Sequence, residues 1–234
     1  MDRSPANETA RLYDEVYKQD NYFGCREWLY RPYVKALISL SGLKKGATVL
    51  DAGCGQGIFT DLFAKEGMSV FGVDISQVGI QKAKEKYPHL SDHFFVFDLL
   101  RPSDIGKVDC VFIRCFSLYD VKDFIGTEPL TRNLFDLLRP EGLIIFAYNS
   151  NLSRTGTTWF NHSLSDIKNH FNLFLSGFEI YFINKLDTFS LGYLSFNKLF
   201  TFINQVASGI TGFSGDIIVI ARKDHCIEAV TGRK

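Results

Sequence analysis

The residues best suited to chemistry lie at 51–57, where Asp51, Gly53, Gly55 and Gly57 alternate with Ala52, Cys54 and Gln56. Alternating glycines remove every second side chain, so the backbone can turn tightly and a ligand can approach its amides. The apolar run Thr48 to Leu50 reads as a short buried strand, and Phe59, Leu62 and Phe63 follow at helical spacing. Strand, glycine turn and helix in that order suit a nucleoside. A pyrophosphate would need G-x-G-x-x-G/A, whose last small residue lets the helix lie close to the strand. Here that place is Ile58. Asp51 adds a negative charge that repels phosphate, so a cationic ligand fits better.

Further acids extend the pattern. Ser69 to Val73 is a second apolar run ending at Asp74, 21 residues after Gly53. An acid at the tip of a second strand can accept two hydrogen bonds from ribose hydroxyls. A third run, His93 to Phe97, ends at Asp98; Asp109 to Ile113 and Leu143 to Tyr148 are the fourth and fifth. Each acid alone also suits a helix cap or a turn. Together the three converge on the carboxyl ends of adjacent parallel strands, where open α/β sheets bind ligands.

Asp51, Gly53, Gly55 and Gly57 match D/E-x-G-x-G-x-G position by position, and the segment resembles motif I of the class I, Rossmann-like, S-adenosylmethionine (SAM) methyltransferases. The Leu138-Arg-Pro-Glu-Gly142 turn before the fifth run is similar to another habit of that family, so the resemblance covers roughly residues 45 to 150. It implies a cofactor, SAM, released as S-adenosylhomocysteine. It also implies roles. Asp51 would meet the amino acid end of SAM, Asp74 the ribose, Ile75 the adenine face and Asp98, followed by Leu99, the adenine amino group, with Gly53, Cys54, Gly55 and Gly57 as the loop beneath. An arginine before motif I, Arg26 or Arg31, would bind the SAM carboxylate, with surface ion pairing as the competing account. Arg114, ending the fourth run, is expected beside the same pocket, where it could also attract an anionic acceptor or pair with a neighbouring acid.

These elements must be positioned by a larger frame. At 234 residues the chain is one large domain or a domain with an elaborated cap. Residues 45 to 150 alternate strand and helix patterns, the mark of a doubly wound α/β sheet. The resemblance implies seven strands, mostly parallel, with Phe178 to Ile183 as the sixth and Asp216 to Ala221 as the seventh, inserted antiparallel beside the fifth. Three parts follow: an N-terminal helical cap over 1–44, a SAM-binding core over 45–183 and 214–222, and an insertion over 184–213. In the cap, Gly24 and Pro32 should separate helices. Ser163 and Asp166 predict a capped helix reaching about Phe174, and Leu199, Phe202, Ile203 and Val206 predict a helix over about 194–208. The insertion is too long for a structureless loop. Nine of 22 phenylalanines lie between 171 and 213, which suits either core packing or a substrate lid that holds the reactants in line and excludes water.

Composition sets limits. Lys and Arg number 26 and so do Asp and Glu, so bulk charge gives no reason to expect a nucleic acid. Five cysteines without a C-x-x-C pair, and a polar start, predict reduced thiols in a cytoplasmic protein. No run approaches the about 18 apolar residues of a membrane span. A monomer or homodimer is expected.

The expected reaction is metal-independent methyl transfer to an O or N atom of a small molecule. A hydroxyl acceptor needs its proton removed, and His162, beside Trp159 and Phe160, and Tyr119, beside Asp120, are the candidate bases; a solvated histidine and a helix cap are the competing accounts. Arg114-Cys-Phe-Ser-Leu118 stands where base-modifying enzymes of the family carry D/N-P-P-Y/F, which disfavours nucleic acid bases. Arg114 and Asn149 occupy the places of metal-binding acids in catechol methyltransferases, so no metal is expected. A protein or peptide acceptor, and a SAM-binding scaffold without activity, are the alternatives.

Overall fold

A computed structural model of the chain describes residues 5–22, 24, 26–101, 105–119, 127–150, 161–173, 175–184, 188–190, 198–211 and 215–225. Its centre is a sheet whose strands are apolar on both faces, the pattern of a parallel sheet covered by helices. The strands are β1 (Thr48–Ala52), β2 (Ser69–Asp74), β3 (Phe94–Val96), β4 (Val108–Arg114), β5 (Leu138–Asn149), β6 (Glu179–Asn184) and β7 (Gly215–Arg222). They lie in the order β3-β2-β1-β4-β5-β7-β6. β7 runs antiparallel between β5 and β6, and the other neighbouring pairs are parallel. The expected doubly wound sheet with an antiparallel seventh strand is therefore present. β4 and β5 slip in register: Val108 faces Leu138 while Cys110 faces Leu143, so the expected turn at 138–142 is an excursion within β5.

Helices cover both faces. α1 (Pro5–Tyr17), α2 (Glu27–Ser41), α3 (Ile58–Lys65), α4 (Gln77–Lys86), α5 (Thr127–Asp136), α6 (Leu164–Phe171) and α7 (Lys198–Thr211) follow in chain order. One core joins Leu37, Phe63, Ile80, Phe112 and Ile145 of α2, α3, α4, β4 and β5. The other joins Leu50, Leu134, Phe146, Ile167 and Phe171 from β1, α5, β5 and α6. The Ser163–Asp166 capping box opens α6 as the sequence predicts.

Two expectations change. Pro32 does not end a helix but sits inside α2; the one backbone bond it removes is outweighed by the burial of Tyr33, Val34, Leu37 and Leu40 along the same helix. α7 begins at Lys198, later than expected, and residues 191–197 lie outside the described residues. Its Leu199, Phe202, Ile203 and Ile210 face outward while Asn204 and Ser208 are buried, the reverse of the amphipathic pattern from which the helix is predicted. No helix among the described residues is long and apolar enough to cross a membrane.

Candidate functional site

The loop after β1 is tied to the tip of β2: the amides of Gly53 and Cys54 donate to the Val73 carbonyl at 2.8 and 2.9 Å. Gly53, Gly55 and Gly57 have φ of 80°, 52° and 80°, in the left-handed region that glycine enters without strain. The space their missing side chains leave is used by this chain itself. A Cβ at Gly53 would come within 2.6 Å of the Phe116 ring, one at Gly55 within 2.7 Å of the Tyr17 hydroxyl, and one at Gly57 within 2.7 Å of Phe94. Gly57 is thus a packing glycine that seats α3 against the sheet. Gly53 and Gly55 face two aromatic side chains at the mouth of the loop.

The acids are held differently from one another. Asp51 is 3% exposed, and its Oδ2 accepts the Thr60 hydroxyl at 2.6 Å. Burial pushes its pKa up to about 7, against the opposing bonds from Thr60. Asp74 accepts the amide of Gly55 on Oδ2 and that of Ser76 on Oδ1, each at 2.8 Å. Burial raises it to about 6 although both amides favour the ionised form. Asp98 accepts the Leu100 amide at 3.0 Å and pairs with Arg101 at 3.3 Å.

Around the loop lies a two-lobed cavity. One lobe is walled by Asp74, Ile75, Phe97, Asp98, Leu99 and Phe116. The other is walled by Cys54, Gly55, Gln56, Phe59 and Arg114. Tyr17, Gly53 and Cys115 line both. The lobes therefore meet at the first glycine. The sequence does not single out Tyr17 or Phe116 for this position; the only local hint is that Tyr13 and Tyr17, one helical turn apart, stack with ring centres 5.7 Å apart.

α1 is clamped over this cavity. Asp14 accepts the Ser76 hydroxyl at 2.6 Å and the Val78 amide at 3.1 Å, completing the N-terminal cap of α4 from another element. Gln56 donates to the Gln19 carbonyl at 2.8 Å, and Lys82 pairs with Asp20.

Beyond the second lobe, Arg114 enters an aromatic enclosure. Its guanidinium lies 5.2, 5.7 and 5.4 Å from the ring centres of Tyr30, Tyr33 and Phe59, a cation–π arrangement. Its Nε donates to Asp216 Oδ2 at 3.1 Å, the same oxygen that accepts the Tyr33 hydroxyl at 2.7 Å. Burial alone would lower the guanidinium pKa, but the Asp216 charge holds it well above its ordinary value. A third cavity opens here, with Tyr30, Tyr33, Arg114, Asn184, Thr188 and Asp216 in its wall.

The expected site residues thus separate. Gly53, Cys54, Gly55, Asp74, Ile75, Asp98, Leu99 and Arg114 line the two lobes, while Asp51 lies behind them with Thr60. Arg31 does not reach the loop: it is half-exposed on the outer face of α2, where its Nε meets Glu66 at 2.9 Å. The surface ion pair is its role in this structure. His162 and Tyr119 also fall away from the cavity walls. His162 is fully buried, neither solvated nor facing the site; its Nε2 lies 3.1 Å from the Tyr119 carbonyl, and burial lowers its pKa. The Tyr119 hydroxyl is paired with Thr131 at 2.7 Å and buried against Phe146. Both are buried among core side chains, Tyr119 against Phe146 and His162 against Tyr148. Asp120, Trp159 and Phe160 lie outside the described residues. Among the described residues no cluster of His, Cys, Asp or Glu could hold a metal ion.

Comparison with known proteins places this geometry in context. Residues 25–181 match the family model described as methyltransferase domain. A chain from Geobacillus sp. (strain WCH70) that bears a methyltransferase name is 28% identical over 143 residues, 60% of this chain and 56% of that relative. The malonyl-[acyl-carrier protein] O-methyltransferase of Pectobacterium atrosepticum is 28% identical over 133 residues, covering 56% of this chain and 51% of the relative. The chain spans about half the length of these curated relatives. Among solved structures, geranyl diphosphate C-methyltransferase from Streptomyces coelicolor, in complex with S-adenosyl-L-homocysteine, is similar in fold with a TM-score of 0.56 at 13% identity, covering 94% of this chain and 99% of the other. With the matched segment spanning β1 to β5 and all of the glycine loop, the chain belongs to the methyltransferase domain family.

Proposed function

We propose that the chain binds SAM across the two lobes and transfers its methyl group, without a metal, to an O or N atom of a small molecule. The observation that carries this reading is the meeting of the lobes at Gly53, with Asp74, Ile75 and Asp98 on one side and Gly55 and Arg114 on the other. The first set suits a nucleoside: Asp74 has lone pairs left for ribose hydroxyls, and Ile75 and Leu99 offer apolar surface for a base. The second suits an amino acid end, with the Arg114 guanidinium for a carboxylate and buried Asp51 behind the loop supplying negative potential. When bound, SAM supplies a methyl group already activated by a positive sulfur.

The residues of the chain then have limited tasks. Asp74 positions the loop through the Gly55 amide, Phe116 and Tyr17 cover it, and α1 excludes water from the cavity. Tyr30 and Tyr33 in the wall of the third cavity suit a small aromatic or apolar acceptor, and the O-methyltransferase name of one relative supports an oxygen acceptor. Incubation with methyl-labelled SAM and a cell extract tests the reading: label is expected in the dialysable fraction. Label in protein would support the peptide alternative. SAM binding without any transfer would support the scaffold alternative.

A further inference from the structure

We infer that the third cavity is the acceptor site and that Asp216 receives the proton of an acceptor hydroxyl; this inference rests on the methyl-transfer reading above. The cavity sits at the carboxyl end of β4, at the start of β7 and against α2. Arg114 lines both it and the glycine-loop lobe, so the two spaces share a wall. Asp216 is placed there by the sheet: β7 pairs antiparallel with β5, and Asp216 faces Asn149 at the site end of both strands.

The Asp216 carboxylate is held by one oxygen. Tyr33 and Arg114 both donate to Oδ2, at 2.7 and 3.1 Å, and no described residue donates a side-chain hydrogen bond to Oδ1. Its side chain is 13% exposed, enough for a ligand to reach an otherwise buried group. A carboxylate anchored through one oxygen, on a residue that lines a cavity, offers its other oxygen as an acceptor for a single donor.

Charge selects the donor. Arg114 already fills the aromatic enclosure of Tyr30, Tyr33 and Phe59 as a cation, and the sulfonium brings a second. An ammonium acceptor would be a third cation around one carboxylate, and an anionic acceptor would meet Asp216 itself. A neutral hydroxyl on a largely apolar, aromatic-compatible molecule meets neither penalty. In the step, the hydroxyl oxygen bonds to the methyl carbon and the carbon–sulfur bond breaks with its electron pair left on sulfur. The hydroxyl proton passes to Asp216 Oδ1 and then to solvent. The products are the methyl ether, S-adenosylhomocysteine and one proton.

Phenol and anisole distinguish the donor from its shape, because anisole has no O–H. With S-adenosylhomocysteine bound, the wild-type protein is expected to bind phenol about tenfold more tightly than anisole, by ligand-observed NMR. In Asp216→Asn the amide oxygen stays toward Tyr33 and Arg114 and turns an N–H toward the cavity, so the preference for phenol should vanish. Tyr33→Phe, which leaves the carboxylate in place but loosens it, should reduce the preference by a few-fold and guards against misfolding of the first variant. Equal binding of phenol and anisole by wild type, binding of neither, or a preference that survives in Asp216→Asn overturns the assignment. Failure to bind S-adenosylhomocysteine instead overturns the methyl-transfer reading on which it rests.

Discussion

Oδ2 of Asp51 accepts the hydroxyl of Thr60 at 2.6 Å, so the acid of the glycine loop is satisfied from α3 rather than open to solvent. Its pKa is raised to about 7, first by burial, and that of Asp74 to about 6 for the same reason. A folded-state pKa above the unfolded value near 3.8 means that the folded protein holds more protons, so these groups contribute stability at low pH that is lost as pH rises toward 7. Buried His162 and His170, whose pKa values burial lowers, act in the opposite direction as pH falls below the ordinary histidine value, for His170 down to about pH 4.

Comparison with Asp51→Asn isolates the carboxyl. Relative to that variant, the ligand-free wild type is expected to lose roughly 2 to 3 kcal/mol between pH 5 and 8, measured by urea denaturation. Parallel curves for the two proteins would show that Asp51 does not titrate in this range.

The same protonation couples to ligand. A cationic ligand beside Asp51 and Asp74 favours their ionised forms, so SAM binding at pH 6 should release protons. Calorimetry in buffers of different ionisation heat reads that release directly, and heats independent of buffer would count against it.

The glycines make separable predictions. Gly57→Ala places a Cβ against Phe94 at a left-handed φ and should cost about 2 to 3 kcal/mol of stability. Gly55→Ala meets only the end of Tyr17, with about 1 to 2 kcal/mol of backbone strain, but should weaken SAM binding more than its stability loss accounts for. Thermal melts and SAM titration of both variants check the contrast.

α1 and α4 share a cap. Asp14→Ala removes the acceptor of the Ser76 hydroxyl and the Val78 amide and should destabilise the fold by about 1 kcal/mol. Because α1 covers the cavity, release of SAM should also quicken in stopped-flow measurements. An unchanged release rate would separate the clamp from cofactor retention.

Neither candidate base from the sequence should matter for turnover. Tyr119→Phe removes the bond to Thr131 and is expected to lower stability by about 1 kcal/mol, with methyl transfer per folded molecule retained. A large loss of transfer with normal folding would return Tyr119 to the chemistry.

The sheet and its acids are legible in the sequence because buried parallel strands are apolar on both faces and because Asp74 and Asp98 end such runs. The pairings that complete the site are not. Tyr33 and Asp216 are 183 residues apart, and only the insertion of β7 beside β5 brings them together. Phe116 and Tyr17 reach the glycines from different elements, and no local pattern marks Phe116. His162 is a related case: its position after β5 matches a site residue, yet Tyr148 and the Tyr119 carbonyl enclose it. Local patterning reports which face of a strand is covered. It does not report which side chain does the covering.

Titration calorimetry of SAM into wild type and Asp74→Asn tests the central claim most directly. The account predicts one SAM bound per chain, with binding weakened about tenfold or more in the variant as the charged acceptor of the Gly55 amide and the ribose hydroxyls is lost. A folded wild type that gives no binding heat with SAM or S-adenosylhomocysteine, or a variant that binds them as tightly as wild type, would contradict it.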